Sequence, residues 1–151
     1  MRVWVDADSM PREVRALLCR RAERSGIEVI FCANRSVTTP DGCQEHVVIQ
    51  RVTTGSVDDH IVDRSAPGDL VVTRDIPLAE RILQRGGHAI NDRGAIFDLS
   101  SIAERRSLRD AAADIRAAGL ETMPRTRGYD ERNKKAFADA LEKMLQMMNK
   151  C

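Results

Sequence analysis

Apolar positions along the chain alternate between short β-branched runs and longer stretches at helical spacing. Val3-Trp4-Val5 reads as a buried strand. Pro11 to Ser25 follows as a helix with Val14, Leu17, Leu18 and Ala22 on one stripe and Ser25-Gly26 as its stop. Pro11 suits the first helical position, where its missing N–H would have gone unpaired anyway. Glu28 to Cys32 is a second strand and His46 to Val52 a third, separated by a polar loop from Arg35 to Gln44 that contains a Pro40-Asp41-Gly42 turn.

Ser56 to Arg64 reads as a short helix. Pro67-Gly68-Asp69 then turns the chain into Leu70-Val71-Val72-Thr73, the clearest strand in the sequence. Leu78, Ala79, Ile82 and Leu83 mark a helix closed by Gly86-Gly87, and His88-Ala89-Ile90 is a last short strand. From Leu99 onward only helical patterns remain, with an expected loop over Glu121 to Asp130. Phe137, Leu141, Met144, Leu145 and Met148 share one face of the final helix, a stripe better suited to core packing than to a binding groove. Strands that alternate with helices imply parallel βαβ units, hence an α/β fold.

Composition adds limits. A chain of 151 residues fits one domain, spanning 1–151, and folding should bury roughly 70% of the surface it exposes when unfolded. Aromatic residues make up only 3%, so Val, Ile, Leu, Ala and Met must build the core. Lys and Arg number 24 against 23 Asp and Glu, so binding to nucleic acid would require charges segregated in space. Every cation before Lys134 is an arginine, whose planar fork suits bidentate phosphate contact. Arginine-favouring codon usage explains the same bias without any partner.

Cys19, Cys32, Cys43 and Cys151 form no CxxC pair, and the three histidines have no ligand-spaced partners, so a structural zinc site is not expected. The N-terminal apolar run is too short for a signal peptide, and no stretch approaches the roughly 20 apolar residues of a membrane span. The expectation is a cytoplasmic protein with reduced thiols, no membrane association and an oligomeric state that the sequence leaves open.

In an open parallel sheet, ligands bind beyond the carboxyl ends of the strands. Asp6-Ala7-Asp8 follows the first strand, Arg74-Asp75 the Leu70 strand and Asn91-Asp92-Arg93-Gly94 the last, while Val57-Asp58-Asp59 opens the short helix. Asp6 and Asp8, two positions apart, share a face of extended backbone. Carboxylates held that close repel unless a cation sits between them, and hard oxygen donors suit Mg²⁺ or Mn²⁺. Aspartates also cap helices, and Asp8 or Ser9 before Pro11 could do only that. Asp41 and Asp69 lie in turns and read as structural; Asp92, in a good turn sequence, is open to either reading. Arg35, Arg74 or Arg93 could neutralise a phosphate, although each alone is as readily a solvated surface group.

At these residues the chain resembles a known family. Val3 to Pro11 (VWVDADSMP) resembles the WVDADACP opening of the bacterial YaiI/YqxD proteins, and Val57-Asp58-Asp59-His60-Ile61-Val62 resembles their AD-x-x-IV segment. Pro67 to Thr73 with Asp75-Ile76-Pro77-Leu78-Ala79 resembles their GDLVIT-x-DIPLA block. Asn91 to Gly94 resembles N-x-RG, and Leu108-Arg109-Asp110 resembles MRD. That family is grouped with PIN-like domains. The resemblance therefore implies a PIN-like, Rossmann-like three-layer sandwich with a small, mostly parallel sheet and C-terminal helices. It also implies metal-dependent nuclease activity on RNA, with Asp6, Asp58 and Asp75 as catalytic metal ligands and Asp8 as a further ligand. Ser9-Met10 replaces the family's small residue and cysteine, and Asp92 stands where the family often has proline.

Two other classes compete with a nuclease. A non-catalytic nucleic-acid- or protein-binding module could keep the same scaffold, although few aromatics are available for base stacking. A haloacid-dehalogenase-type phosphatase also begins with a strand and DxD, but it needs a core lysine and then a late acidic pair, in that order. Here no lysine precedes Lys134, and Asp58-Asp59 comes before the Leu70 strand.

Overall fold

The computed structural model describes residues 1–37, 45–117 and 128–149, without the side chains of residues 115–117. The expected Pro40-Asp41-Gly42 turn, Cys43, Cys151 and most of the expected loop from Glu121 to Asp130 lie outside the described residues. The elements run β1 (Arg2–Asp6), a 3₁₀ turn (Ala7–Ser9), α1 (Arg12–Ser25), β2 (Glu28–Ala33), β3 (Val47–Arg51) and α2 (Val57–Arg64). They continue with β4 (Leu70–Val72), α3 (Ile76–Gln84), β5 (His88–Ile90), α4 (Leu99–Ala117) and α5 (Glu131–Asn149).

The five strands form one parallel sheet in the order β3-β2-β1-β4-β5. Side chains alternate across it, as the pleat requires. Val3, Val5, Val29, Phe31, Leu70 and Val72 face the layer that holds α1 and α5, where Val14, Leu18, Phe137, Leu141 and Leu145 meet them. Trp4, Ile30, Cys32 and Val71 face the opposite layer, against Val57, Ile61, Leu78 and Ile82 of α2 and α3. The result is the expected three-layer α/β sandwich, and the Met144–Met148 stripe is core, as its spacing implied. No helix among the described residues is long and apolar enough to cross a membrane.

Local chemistry sets the element ends. Gly26 closes α1 at φ 71°, a left-handed conformation that costs glycine little. Pro11 precedes α1 as its cap residue (φ −63°, ψ 155°), one position earlier than the sequence suggested. The Ala7–Ser9 turn intervenes, so neither Asp8 nor Ser9 caps α1. Gly94 (φ 87°) passes so close to α5 that an added Cβ would lie 2.6 Å from the Ala136 carbonyl oxygen. Only glycine lets the β5–α4 loop press there.

Asp69, at the start of β4, is structural as expected. Its buried carboxylate accepts from Trp4 Nε1–H (3.1 Å), the Arg2 N–H (3.0 Å) and the Ala66 N–H (2.9 Å). It ties β1 to the turn before β4 and holds those two strands in register. Removing it orphans three donors at about 1–3 kcal/mol each where buried. Asp69→Ala should therefore lose about 3 kcal/mol of a total near 5–15 kcal/mol. A urea denaturation midpoint unchanged from the parent would contradict this role.

Candidate metal centre at the carboxyl edge of the sheet

After β1 the chain turns to the α1 layer, whereas after β4 it turns to the α3 layer. The adjacent carboxyl ends of these two strands therefore open a crevice, the place where parallel sheets of this kind bind ligands. The register pairs Val5 with Val72 and so sets Asp6 level with Thr73.

Asp6 is nearly enclosed, 7% exposed. Its Oδ2 accepts from the Thr73 hydroxyl at 3.0 Å and from the Ser9 hydroxyl at 3.1 Å. Burial nonetheless holds its carboxyl above the ordinary range against those two hydrogen bonds, and the negative charges of Asp75 and Asp8 push the same way. Asp75 caps α3, its Oδ1 accepting from the Leu78 N–H at 3.0 Å. The Asp75 N–H in turn donates to Thr73 Oγ1 at 2.9 Å. The buried Thr73 hydroxyl thus receives from the backbone of one aspartate and donates to the side chain of another.

Asp58 lies in the first turn of α2, which Ser56 caps by accepting from the Asp59 N–H. Burial, the charges of Asp75 and Asp6, and a hydrogen bond from its protonated form to Asp75 push its carboxyl up to about 6, with Arg81 partly opposing. Three aspartates from three separate segments therefore share one electrostatic environment. Helix N-termini favour negative charge at Asp58 and Asp75 but do not cancel the repulsion.

The other expected residues take different places. Asp8 affects Asp6 through its charge, yet its own oxygens are engaged elsewhere: Oδ2 accepts from the Asn34 N–H at 2.8 Å and Oδ1 lies 3.5 Å from Arg35 Nε. Arg35 is otherwise open to solvent, its side chain 79% exposed. Arg74 turns to the fully buried Asp92, donating from Nε at 2.8 Å and also from Nη2. Asp92 is thus the anchor of Arg74, and the Tyr129 hydroxyl donates to the Asp92 carbonyl at 2.8 Å. The Arg93 N–H donates to Asn91 Oδ1. Asp59 points outward to Arg81 at 2.9 Å.

Two residues at the site were missed in the sequence, Thr73 and Ser9. The signal for Thr73 was present: a hydroxyl ending a buried strand two positions before an aspartate. The oxygens of Asp6, Asp58 and Asp75 are not all gathered within 4.8 Å of one another; among the described residues, the one group whose ligand-type atoms lie that close is Glu23, Glu45 and His46. It lies at the opposite, amino edge of the sheet, just before β3, with Glu45 exposed.

Residues 4–147 match the model of a family described as uncharacterized BCR, YaiI/YqxD family. Among curated proteins, the UPF0178 protein of Syntrophotalea carbinolica is 34% identical over 96% of this chain and 97% of its own. The UPF0178 protein of Vibrio atlanticus is 36% identical over 96% and 98%, and that of Dechloromonas aromatica 37% over 96% and 96%. No solved structure matches the chain.

The raised carboxyl of Asp58 has a consequence for stability. A folded-state pKa above the unfolded value means the native state holds the proton more tightly. The favourable contribution is thus complete below about pH 4 and lost as pH rises through about 6. Asp58→Asn should therefore raise Tm at pH 7.5 in EDTA and leave it nearly unchanged at pH 4. Allowing for solvent screening, the gain is about 1 kcal/mol, roughly 3 °C. Equal shifts at both pH values would contradict the assignment.

Proposed function

From the premise that the chain belongs to the YaiI/YqxD family of bacterial proteins, we propose that it is a divalent-metal-dependent phosphodiesterase acting on RNA. The observation that carries this reading is that Asp6 and Asp58 come close enough to each other and to Asp75 at the β1–β4 crevice for burial and like charge to hold the carboxyls of Asp6 and Asp58 above their ordinary range.

The donor set fits Mg²⁺ or Mn²⁺. All three groups offer hard carboxylate oxygen, and a dication relieves the strain that burial and like charge impose on Asp58 and Asp6. Asp6 Oδ2 and Asp75 Oδ1 are held by protein donors, which leaves each residue one oxygen for an ion. When bound, such an ion supplies a water of lowered pKa and neutralises charge on the phosphodiester. Asp6, Asp58 and Asp75 would hold it. Thr73 keeps Asp6 and Asp75 from separating, and Arg35, exposed beside Asp8, would meet the phosphate.

Phosphatase chemistry with Asp6 as nucleophile fits less well, because Asp8 would have to act as general acid while Asn34 and Arg35 occupy its oxygens.

End-labelled single-stranded RNA incubated with Mn²⁺ should be cleaved, and EDTA should stop the reaction. Losing an outer partner of a metal ligand costs 10- to 100-fold, so Asp6→Asn should lower the rate by at least about 100-fold and Thr73→Val by about 10-fold or more. Thr73→Ser, which keeps the hydroxyl, should restore most of the loss. Undiminished cleavage by Asp6→Asn would contradict the proposal.

A further inference from the structure

We infer that the trough between α1 and α5 is the track along which a single-stranded RNA backbone lies, an inference that rests on the RNA reading above and extends it to a binding surface. α1 starts directly after the turn that carries Asp8 and runs away from the carboxyl edge, so anything lying along it leads out from the crevice. The helix holds five arginines against two glutamates. Two adjoining hollows, about 320 and 310 Å³, lie along it and share Arg20. Arg12 and Lys134 line the first, while Arg21 and Arg24 line the second.

Arg12, Arg20 and Arg24 fall at four-residue spacing with Ala16 between, a single exposed stripe about 18 Å long at 1.5 Å per residue. Like charges at i and i+4 oppose helix formation, and among the described residues no carboxylate pairs with any of these three. By contrast, Arg21 is already engaged with Glu142. Glu13 and Glu142 also line the hollows, yet the cations outnumber them.

Three guanidinium groups along one helix face, none paired with a carboxylate among the described residues, match a polymer of phosphates better than one phosphate. No aromatic side chain lines either hollow among the described residues, so stacking cannot read bases and binding here is indifferent to sequence. A near-neutral chain can thus place acid at the sheet edge and base along one helix.

The test is binding of fluorescein-labelled oligouridylate in EDTA across a salt series, comparing the parent protein with Arg20→Gln/Arg24→Gln and with Arg105→Gln/Arg109→Gln, which removes two cations from α4. For single strands the slope of log K against log salt is about −0.7 per phosphate contact. The α1 variant should therefore bind roughly 20-fold more weakly at 0.1 M salt, with a slope shallower by about 1.4, while the α4 variant matches the parent and all three melt alike. Parent-like binding by the α1 variant would overturn the track and leave the nuclease reading standing. Equal weakening of both variants would also overturn it, by reducing the effect to net charge. Failure of the parent to bind would overturn both the track and RNA as substrate. If the α1 variant weakens as expected but the parent shows no metal-dependent cleavage, the track stands and the nuclease reading falls.

Discussion

Carboxylates of like charge repel, and a half-buried crevice weakens the water that would screen them, so the fold has to hold Asp6, Asp58 and Asp75 together by force. Each is fixed by a different device. Asp6 sits at the end of a central strand, Asp75 is the cap of α3, and Asp58 rides in the first turn of α2. Thr73 links two of them, its hydroxyl bridging the Asp75 backbone and the Asp6 side chain. The cost shows in Asp58, whose carboxyl is pushed up to about 6. A protein that needed these residues only for caps and turns would gain by separating them.

Elsewhere the same residue types are neutralised on the spot. Asp69 spends its charge on three donors and fastens β1 to the turn before β4. Asp92 is enclosed and paired with Arg74, and its backbone receives Tyr129, which fastens the loop after β5 to the approach of α5. Gly94 lets that loop pack on α5. These satisfied acids make the raised carboxyls of Asp6 and Asp58 stand out. They also explain why Arg74, attractive as a phosphate ligand when only its position after a strand is considered, is spoken for.

Hydrophobic period and turn residues made the fold legible. Each of the five strands and the helices over 12–25, 57–64 and 76–84 lies where the apolar runs place it, because the two-sided burial of β1, β2 and β4 demands nearly continuous Val and Ile. The positions of Asp6, Asp58 and Asp75 were legible too, since topology alone carries the ends of β1 and β4 to one edge. What the chain hid was side-chain direction. Whether Asp8 turned to an ion or to the Asn34 N–H, and whether Arg74 faced solvent or Asp92, depended on loop geometry that no periodicity encodes. Thr73 was overlooked because a threonine ending a strand is usually read as a β-former; its partner lies 67 positions away in the sequence.

The proposed chemistry stands on a dication binding among Asp6, Asp58 and Asp75 in the β1–β4 crevice. Calorimetric titration of Mn²⁺ at pH 7.5 into the parent protein, Asp75→Asn and Glu23→Gln tests this directly, because Glu23, Glu45 and His46 are, among the described residues, the group whose ligand atoms already lie within 4.8 Å of one another and so the competing site. The account predicts a binding isotherm that survives Glu23→Gln and vanishes in Asp75→Asn. An isotherm intact in Asp75→Asn, or absent from the parent, would contradict it.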